Sequence, residues 1–118
     1  MQATKERVLI TGGADSVGRV IAEAFAARGD RVHICDVNAQ ALEIMLRENP
    51  SITGTHASVG DPDAVSRVFS EARRAMGDPS VLINNVGIAG PVGTIETLDL
   101  AAWRDTFDVN VHGMLYCM

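Results

Sequence analysis

A glycine-rich segment near the N-terminus has the residue types that bind a phosphate group. Residues 7–19 read R-V-L-I-T-G-G-A-D-S-V-G-R, an apolar run followed by glycines and then by apolar residues at helical spacing from Val17. A strand, a glycine turn and a helix in this order direct free backbone N–H groups and the positive end of the helix dipole at one point. We expect Gly12 to permit the turn, Ser16 to cap the helix, and Gly18 to let the helix lie close to the strand. Glycines also serve plain tight turns, but the flanking elements favour a nucleotide site.

A second candidate is Asp36, the last residue of the next predicted strand and eighteen residues beyond Gly18. A carboxylate there can accept hydrogen bonds from both hydroxyls of an adenosine ribose, and it repels a 2′-phosphate. The other interpretation is an acid that only helps to start the following helix, for which Asn38 is also available. Neither Asp15 nor Val37 supplies the positive charge that a 2′-phosphate needs, so the sequence favours NAD over NADP.

Two amides follow the fourth predicted strand, in the segment N-N-V-G. A buried amide must form hydrogen bonds, so we expect Asn84 to tie neighbouring loops or strands together and Asn85 to reach the cofactor. Gly87 leaves room for a ring or a ribose beside the backbone. Asn110 lies within a predicted apolar helix, and the residue pattern alone indicates an exposed helical amide.

These residues are positioned by alternating strands and helices. The predicted strands are Val8–Ile10, Arg31–Asp36, Ile52–Ser58 and Val81–Ile83, and the predicted helices are Ser16–Arg28, Ala39–Glu48, Asp61–Met76 and Asp99–Met118. Alternation of this kind predicts an α/β fold with a parallel sheet and right-handed crossovers. The strand order 3-2-1-4 places a ligand crevice at the carboxyl ends of strands 1 and 4.

The last predicted helix carries an apolar stripe at spacings of three and four residues. We expect this stripe to be core or a subunit contact rather than a cofactor contact. Its residues are Leu100, Trp103, Phe107, Val111, Met114 and Met118.

Length and composition limit the possible classes of protein. The chain has 118 residues, 47% of them hydrophobic, 21% charged, and a formal charge of −5, which is typical of one soluble domain and gives no electrostatic case for nucleic acid. The polar first seven residues predict no signal peptide, no apolar run is long enough to span a bilayer, and we expect a cytoplasmic protein. Cys35 and Cys117 are interpreted as reduced and non-catalytic. His33, His56 and His112 are scattered, as surface residues of strands or helices would be, and form no metal cluster.

The four segments together resemble the short-chain dehydrogenase/reductase family, and they span nearly the whole chain. Residues 11–18, T-G-G-A-D-S-V-G, look like the family's T-G-x-x-x-G-x-G turn, and N-N-V-G looks like its N-N-A-G motif. Asp36 matches the family's NAD-selecting acid, and residues 108–111, D-V-N-V, match the helical segment that bears its functional Asn. The resemblance therefore implies that Asn110 helps to hold a proton-relay water at the catalytic site. The cofactor-binding residues that it implies are Gly12, Asp15, Ser16, Val17, Gly18, Asp36, Val37, Ser58, Val59, Asn85, Val86 and Gly87.

Three positions depart from the family pattern. Ser16 stands in place of the middle glycine of the turn, and its hydroxyl can donate to a phosphate. Val86 replaces an alanine beside the cofactor. Ser58 stands where the family usually has an Asp next to adenine, while the backbone of Val59 can still serve.

The resemblance implies a Rossmann-like, doubly wound fold and an NAD-dependent oxidoreductase. Such an enzyme transfers hydride between nicotinamide and a secondary alcohol or ketone, and it is expected to form a homodimer or homotetramer. The family's catalytic Ser and Tyr-x-x-x-Lys pair have no counterpart here, since Tyr116 is followed only by Cys117 and Met118, and Lys5 is the single lysine. We therefore expect residues 1–118 to be the cofactor-binding N-terminal part, truncated before strand 5, of one domain of roughly 250 residues. The alternative is a non-catalytic nucleotide-binding module or an inactive fragment.

Overall fold

The computed structural model describes residues 5–118 and contains a four-stranded parallel sheet with the order β3-β2-β1-β4. This confirms the predicted Rossmann-like α/β fold and its strand order. The first four residues, part of the polar segment on which the signal-peptide expectation rests, lie outside the described residues. In chain order the elements are β1 Arg7–Thr11, α1 Ser16–Ala27, β2 Arg31–Asp36, α2 Ala39–Glu48, β3 Thr53–His56, α3 Pro62–Met76, β4 Val81–Ile83, a 3₁₀ turn Ile95–Thr97, α4 Leu100–Phe107, a π-helical segment Asp108–His112 and α5 Gly113–Cys117.

The sheet is covered on both faces, which explains its continuous apolar strands. Val8 and Ile10 of β1 pack in one cluster with residues of α1 and α2, whereas Leu9 packs on the opposite face with Val65 and Val68 of α3. Successive strand residues point to opposite sides of a sheet, so β1 contributes to both halves of the core. Among residues 5–118, no helix has the length and apolar character needed to cross a bilayer.

Side-chain caps begin the helices at or beside the predicted positions. Asp61 Oδ1 accepts a hydrogen bond from Asp63 N at 2.9 Å, with Pro62 at the first helical position, as expected. The prediction that Ser16 caps α1 is wrong, because Asp15 Oδ1 accepts from Ser16 N at 2.7 Å. Ser16 instead has φ +50°, a left-handed backbone conformation that positions the helix start.

The helix predicted over Asp99–Met118 is interrupted by the π-helical segment between α4 and α5. Gly113 N donates to the carbonyl of Asp108, five residues earlier, instead of the usual four. The apolar stripe does not lie in the core formed by residues 5–118, since Trp103 is 46% and Phe107 45% exposed. The alternative expectation, a subunit contact, stays a prediction. The buried positions here are Val109, Gly113 and Cys117, which face the sheet and α3.

His33 is buried, with 2% of its surface exposed, so its prediction as a surface residue is wrong. It lies in β2, which is paired on both sides by β1 and β3. Its Nδ1 is 2.6 Å from Thr53 Oγ1 and its Nε2 is 2.8 Å from Thr55 Oγ1. Both hydroxyls belong to β3, which is shorter than the predicted strand. They allow the ring to be buried without an unpaired nitrogen.

Candidate functional site

A cleft of about 450 Å³ opens at the carboxyl ends of the strands, and it brings together all twelve residues predicted to bind a cofactor. These are Gly12, Asp15, Ser16, Val17, Gly18, Asp36, Val37, Ser58, Val59, Asn85, Val86 and Gly87. Four further residues line the same cleft without having been selected from the sequence, namely Ala57, Ile88, Asp105 and Val109. Segments far apart in the chain converge here because parallel strands end at one edge of the sheet.

The glycine turn is held between β2 and the start of α1. Gly12 has φ +64°, and its N–H and that of Gly13 donate to Cys35 O at 2.8 and 3.2 Å. A Cβ atom on Gly18 would lie 2.0 Å from the carbonyl oxygen of Gly12, so only glycine permits this approach of helix to turn. The N–H groups of Val17 and Gly18 have no acceptor among the described residues. They form the anion-binding end of α1.

Asp36 joins this turn to the end of β2. Its Oδ2 accepts from Ala14 N at 3.2 Å, and its Oδ1 accepts from Asn38 N at 2.9 Å. The cap of α2 is Asn38, whose Oδ1 accepts from Ala41 N at 3.0 Å, so Asp36 is not needed to start that helix. A carboxylate oxygen can accept more than one hydrogen bond. Asp36 can therefore still accept hydrogen bonds from a molecule bound in the cleft.

The structure does not support the role predicted for Asn84, whereas Asn85 lines the cleft as expected. Asn85, not Asn84, ties the loops together, because its Nδ2 donates to Gly12 O at 3.1 Å while Asn84 is exposed. Alternate residues of an extended segment point to opposite sides, which sends one amide to solvent and the other to the turn. The hydroxyl of Thr11, not selected from the sequence, accepts from the N–H groups of Asn85 and Val86 at 3.0 and 3.2 Å.

Asn110 lies on the π-helical segment and bonds to the loop after β4. Its Oδ1 accepts from Ile88 N and its Nδ2 donates to Ile88 O, both at 2.8 Å. The interpretation as a free, exposed helical amide is therefore wrong. Periodicity carries no signal for this pairing, because Ile88 is twenty-two residues away in an irregular segment.

The loop after β3 packs closely against the π-helical segment and the start of α5. A Cβ atom on Gly60 would lie 3.3 Å from Val109 Cγ2, and one on Gly113 would lie 2.7 Å from Val59 Cγ2. Val59 and Val109 are buried and present an apolar wall. Ser58 Oγ accepts from Gly60 N at 3.2 Å, which fixes the hydroxyl in this loop.

The two cysteines are free and buried. Burial raises the pKa of the Cys35 thiol to about 12, and burial also raises the pKa of Cys117. Because the thiolate is the nucleophilic form, neither thiol is suited to covalent chemistry. No three His, Cys, Asp or Glu residues between positions 5 and 118 are grouped as a metal would require.

The fold and the cleft define an α/β protein of the Rossmann type. The family model described as short chain dehydrogenase matches residues 6–118, and the chain belongs to this short-chain dehydrogenase/reductase family of oxidoreductases.

Curated relatives and solved structures agree with this assignment. The chain is 33% identical over 115 residues to 1-deoxy-11-beta-hydroxypentalenate dehydrogenase of Streptomyces arenae, covering 93% of this chain and 41% of the relative. It is also 33% identical over 120 residues to cis-4-hydroxycyclohexanecarboxylate dehydrogenase of Sinomonas cyclohexanicum, covering 98% of this chain and 48% of the relative. A 3-ketoacyl-(acyl-carrier-protein) reductase from Brucella melitensis, solved in complex with NADH, superposes with a TM-score of 0.86 at 25% identity, covering 93% of this chain and 46% of that one. The chain thus spans less than half the length of each of these proteins.

Proposed function

We propose that residues 5–118 form the NAD-binding part of an oxidoreductase that interconverts a secondary alcohol and a ketone. The observation that carries the proposal is the composition of the cleft wall. Its described residues include three aspartates, namely Asp15, Asp36 and Asp105, and no Lys, Arg or His. A cofactor with an additional phosphate on its ribose would find no cationic side chain in this lining to balance its charge.

The residues present fit a dinucleotide in two parts. The free N–H groups of Val17 and Gly18 and the dipole of α1 suit the pyrophosphate. Asp36 is already directed to the turn by Ala14 N and has acceptor capacity for the two ribose hydroxyls. Ser16 is exposed at the same helix start, so its hydroxyl is free to donate to a phosphate oxygen.

The nicotinamide supplies the hydride carrier, and Asn110 is proposed as a positioning residue near it. By bonding twice to Ile88, Asn110 holds the loop after β4 against the π-helical segment. Gly87 in this loop leaves the cleft open, because a Cβ atom there would meet only Asn110 Oδ1, at 3.7 Å. The names of two relatives, a cis-4-hydroxycyclohexanecarboxylate dehydrogenase and a cyclohexanol dehydrogenase, support a secondary alcohol as substrate class.

The proposal is tested by titrating the full-length protein with NAD and NADP while binding is followed by calorimetry. We expect tighter binding of NAD. Replacing Asp36 by Ala removes the acceptor for the ribose hydroxyls and the repulsion of a 2′-phosphate. It should therefore reduce the difference between the affinities for NAD and NADP. Asp63→Ala is the matched control, because Asp63 is an exposed carboxylate on α3 that does not line the cleft. Tighter binding of NADP to the unmodified protein would overturn the assignment.

We also propose that the full-length protein is a cytoplasmic homo-oligomer. The support for an oligomer is the apolar stripe along α4, the π-helical segment and α5, where Trp103, Phe107, Val111 and Met114 all remain substantially exposed. A contiguous apolar patch is seldom left in water by a monomer. Light scattering of the full-length protein measures its mass, and a monomer across the micromolar range would contradict the proposal.

A further inference from the structure

Three carboxylates line the cleft, and their bonding within the protein is unequal. Asp15 accepts from Ser16 N at 2.7 Å, and Asp36 accepts from Ala14 N and Asn38 N. Asp105 is exposed on α4 and forms no side-chain hydrogen bond or ion pair with any residue between 5 and 118. It is therefore an acceptor in the cleft wall that no cap or turn uses.

The cleft residue one helical turn after Asp105 is apolar. Val109 lies four residues later along the same helical run, so the two side chains share a face. Val59 lies on the opposing loop, packed against Gly113. A carboxylate at the rim of an apolar slot suits a flat ring that carries an exocyclic N–H donor.

The order of groups along the cleft indicates how a dinucleotide would be oriented in it. Asp36 lies between the glycine turn, through Ala14, and the loop after β3, since Ala57 N donates to Asp36 O at 3.0 Å. A ribose held at Asp36, with its pyrophosphate at the start of α1, directs its base away from the turn. In the proposed binding mode the base lies against Ser58 and Val59, which line the same cleft as Asp105.

We propose that Asp105 determines the base specificity of this site by accepting a hydrogen bond from the 6-amino group of adenine; this inference rests on the proposed NAD-binding function. A purine with an oxygen at position 6 would place an acceptor against the carboxylate, which is unfavourable. Ser58 is less suited to this role, because its Oγ already accepts from Gly60 N and carries no charge.

The experiment compares NAD with nicotinamide hypoxanthine dinucleotide, in which the 6-amino group is an oxygen. Dissociation constants are measured by calorimetry on the full-length protein. We expect NAD to bind about tenfold more tightly, the factor that one hydrogen bond to a charged group provides. Asp105→Ala should reduce this ratio to within twofold by weakening NAD binding. Asp105 is exposed, so the variant is expected to fold, and circular dichroism checks this.

Asp63→Ala is the control of equal charge change, and Ser58→Ala tests the competing acceptor. The inference is overturned if Asp105→Ala still binds NAD about tenfold more tightly than the hypoxanthine dinucleotide. It is also overturned if this difference in affinity is lost only in Ser58→Ala. These outcomes leave NAD binding intact, so they are distinguishable from failure of the proposed function. If the proposed function fails, the unmodified protein binds neither dinucleotide, and the inference about Asp105 is then wrong as well.

Discussion

The side chain of Asn110 forms two hydrogen bonds with the backbone of one residue, Ile88, through Oδ1 to its N and through Nδ2 to its O, both at 2.8 Å. An amide is suited to this because it offers one acceptor and a donor in one plane. The pairing joins the loop after β4 to the π-helical segment, which is where the regular helix is interrupted. The cleft wall at Ile88 therefore depends on a side chain from a different element.

Replacing Asn110 by Ala should destabilise the full-length protein by roughly 2 kcal/mol, since two hydrogen bonds of about 1 kcal/mol each are lost. Urea unfolding measures the change. We also expect kcat to fall more than KM rises, because the residue positions the loop beside the cofactor.

Asn84→Ala is the matched control for this prediction, because Asn84 is an exposed amide on the same loop. Its effect on stability should stay within about 0.5 kcal/mol, as for most surface substitutions. Equal losses of stability in Asn110→Ala and Asn84→Ala would show that the hydrogen bonds to Ile88 contribute nothing to the stability of the fold.

Gly18→Ala should abolish dinucleotide binding and destabilise the fold. The added Cβ atom would lie 2.0 Å from Gly12 O, so α1 must move away from the turn and carry its free N–H groups with it. Gly87→Ala tests the same cleft without a clash, because its Cβ atom would approach nothing closer than 3.7 Å. Thermal unfolding of the two variants should differ sharply, and normal NAD binding by Gly18→Ala would refute the close packing.

Ser16 combines a left-handed backbone with a free hydroxyl, and two substitutions separate these properties. Ser16→Gly should stabilise the protein by about 1 kcal/mol, because glycine adopts φ +50° without the strain that a Cβ atom causes. Ser16→Ala keeps the strain and removes the hydroxyl, so NAD binding should weaken by about 1 kcal/mol. Unchanged affinity in Ser16→Ala would exclude the phosphate contact.

His33 should make the stability of the protein depend on pH. Burial lowers the pKa of His33 from 6.5 to about 4. The ring is held neutral: Thr55 Oγ1 donates to Glu71 Oε1 at 3.0 Å and so accepts from Nε2–H, while Thr53 can donate to Nδ1. The His33 ring takes up its proton at a higher pH in the unfolded chain than in the folded protein. The stabilisation of the folded state by the neutral, buried ring is therefore fully present above pH 6.5. It is lost as the pH falls from 6.5 to 4, by roughly 3 kcal/mol in all.

Urea unfolding at intervals between pH 7.5 and pH 4 measures this loss. His33→Gln cannot titrate and should show a shallower dependence over the same range, even if it is less stable throughout. His56→Gln is the control, because His56 is exposed and its ring bonds only to the carbonyl of Val37 among the described residues. Parallel curves for the unmodified protein and His33→Gln would contradict the prediction.

The amino-acid sequence by itself determined the order of strands and helices and the residues that meet at the cleft. Asp61-Pro62 begins a helix wherever it lies, and an apolar run followed by glycines makes a strand and a turn, because these preferences depend on neighbours along the chain. Parallel strands then bring their carboxyl ends together by topology alone. The glycine turn, Asp36 and the N-N-V-G segment could therefore be assigned to one site without coordinates.

The tertiary structure decided which side chains pair across elements. Periodicity alone does not distinguish Asn110 from an ordinary exposed amide, and the structure does so through its contact with Ile88. His33 is likewise distinguished from a surface histidine by Thr53 and Thr55 on the adjacent strand. The position of Asp105 in the cleft likewise depends on how the π-helical segment that follows α4 packs against the loop after β3. These pairings are fixed by strand register, helix rotation and the interruption at the π-helical segment. Each of these results from packing between segments distant in sequence, which local periodicity does not encode.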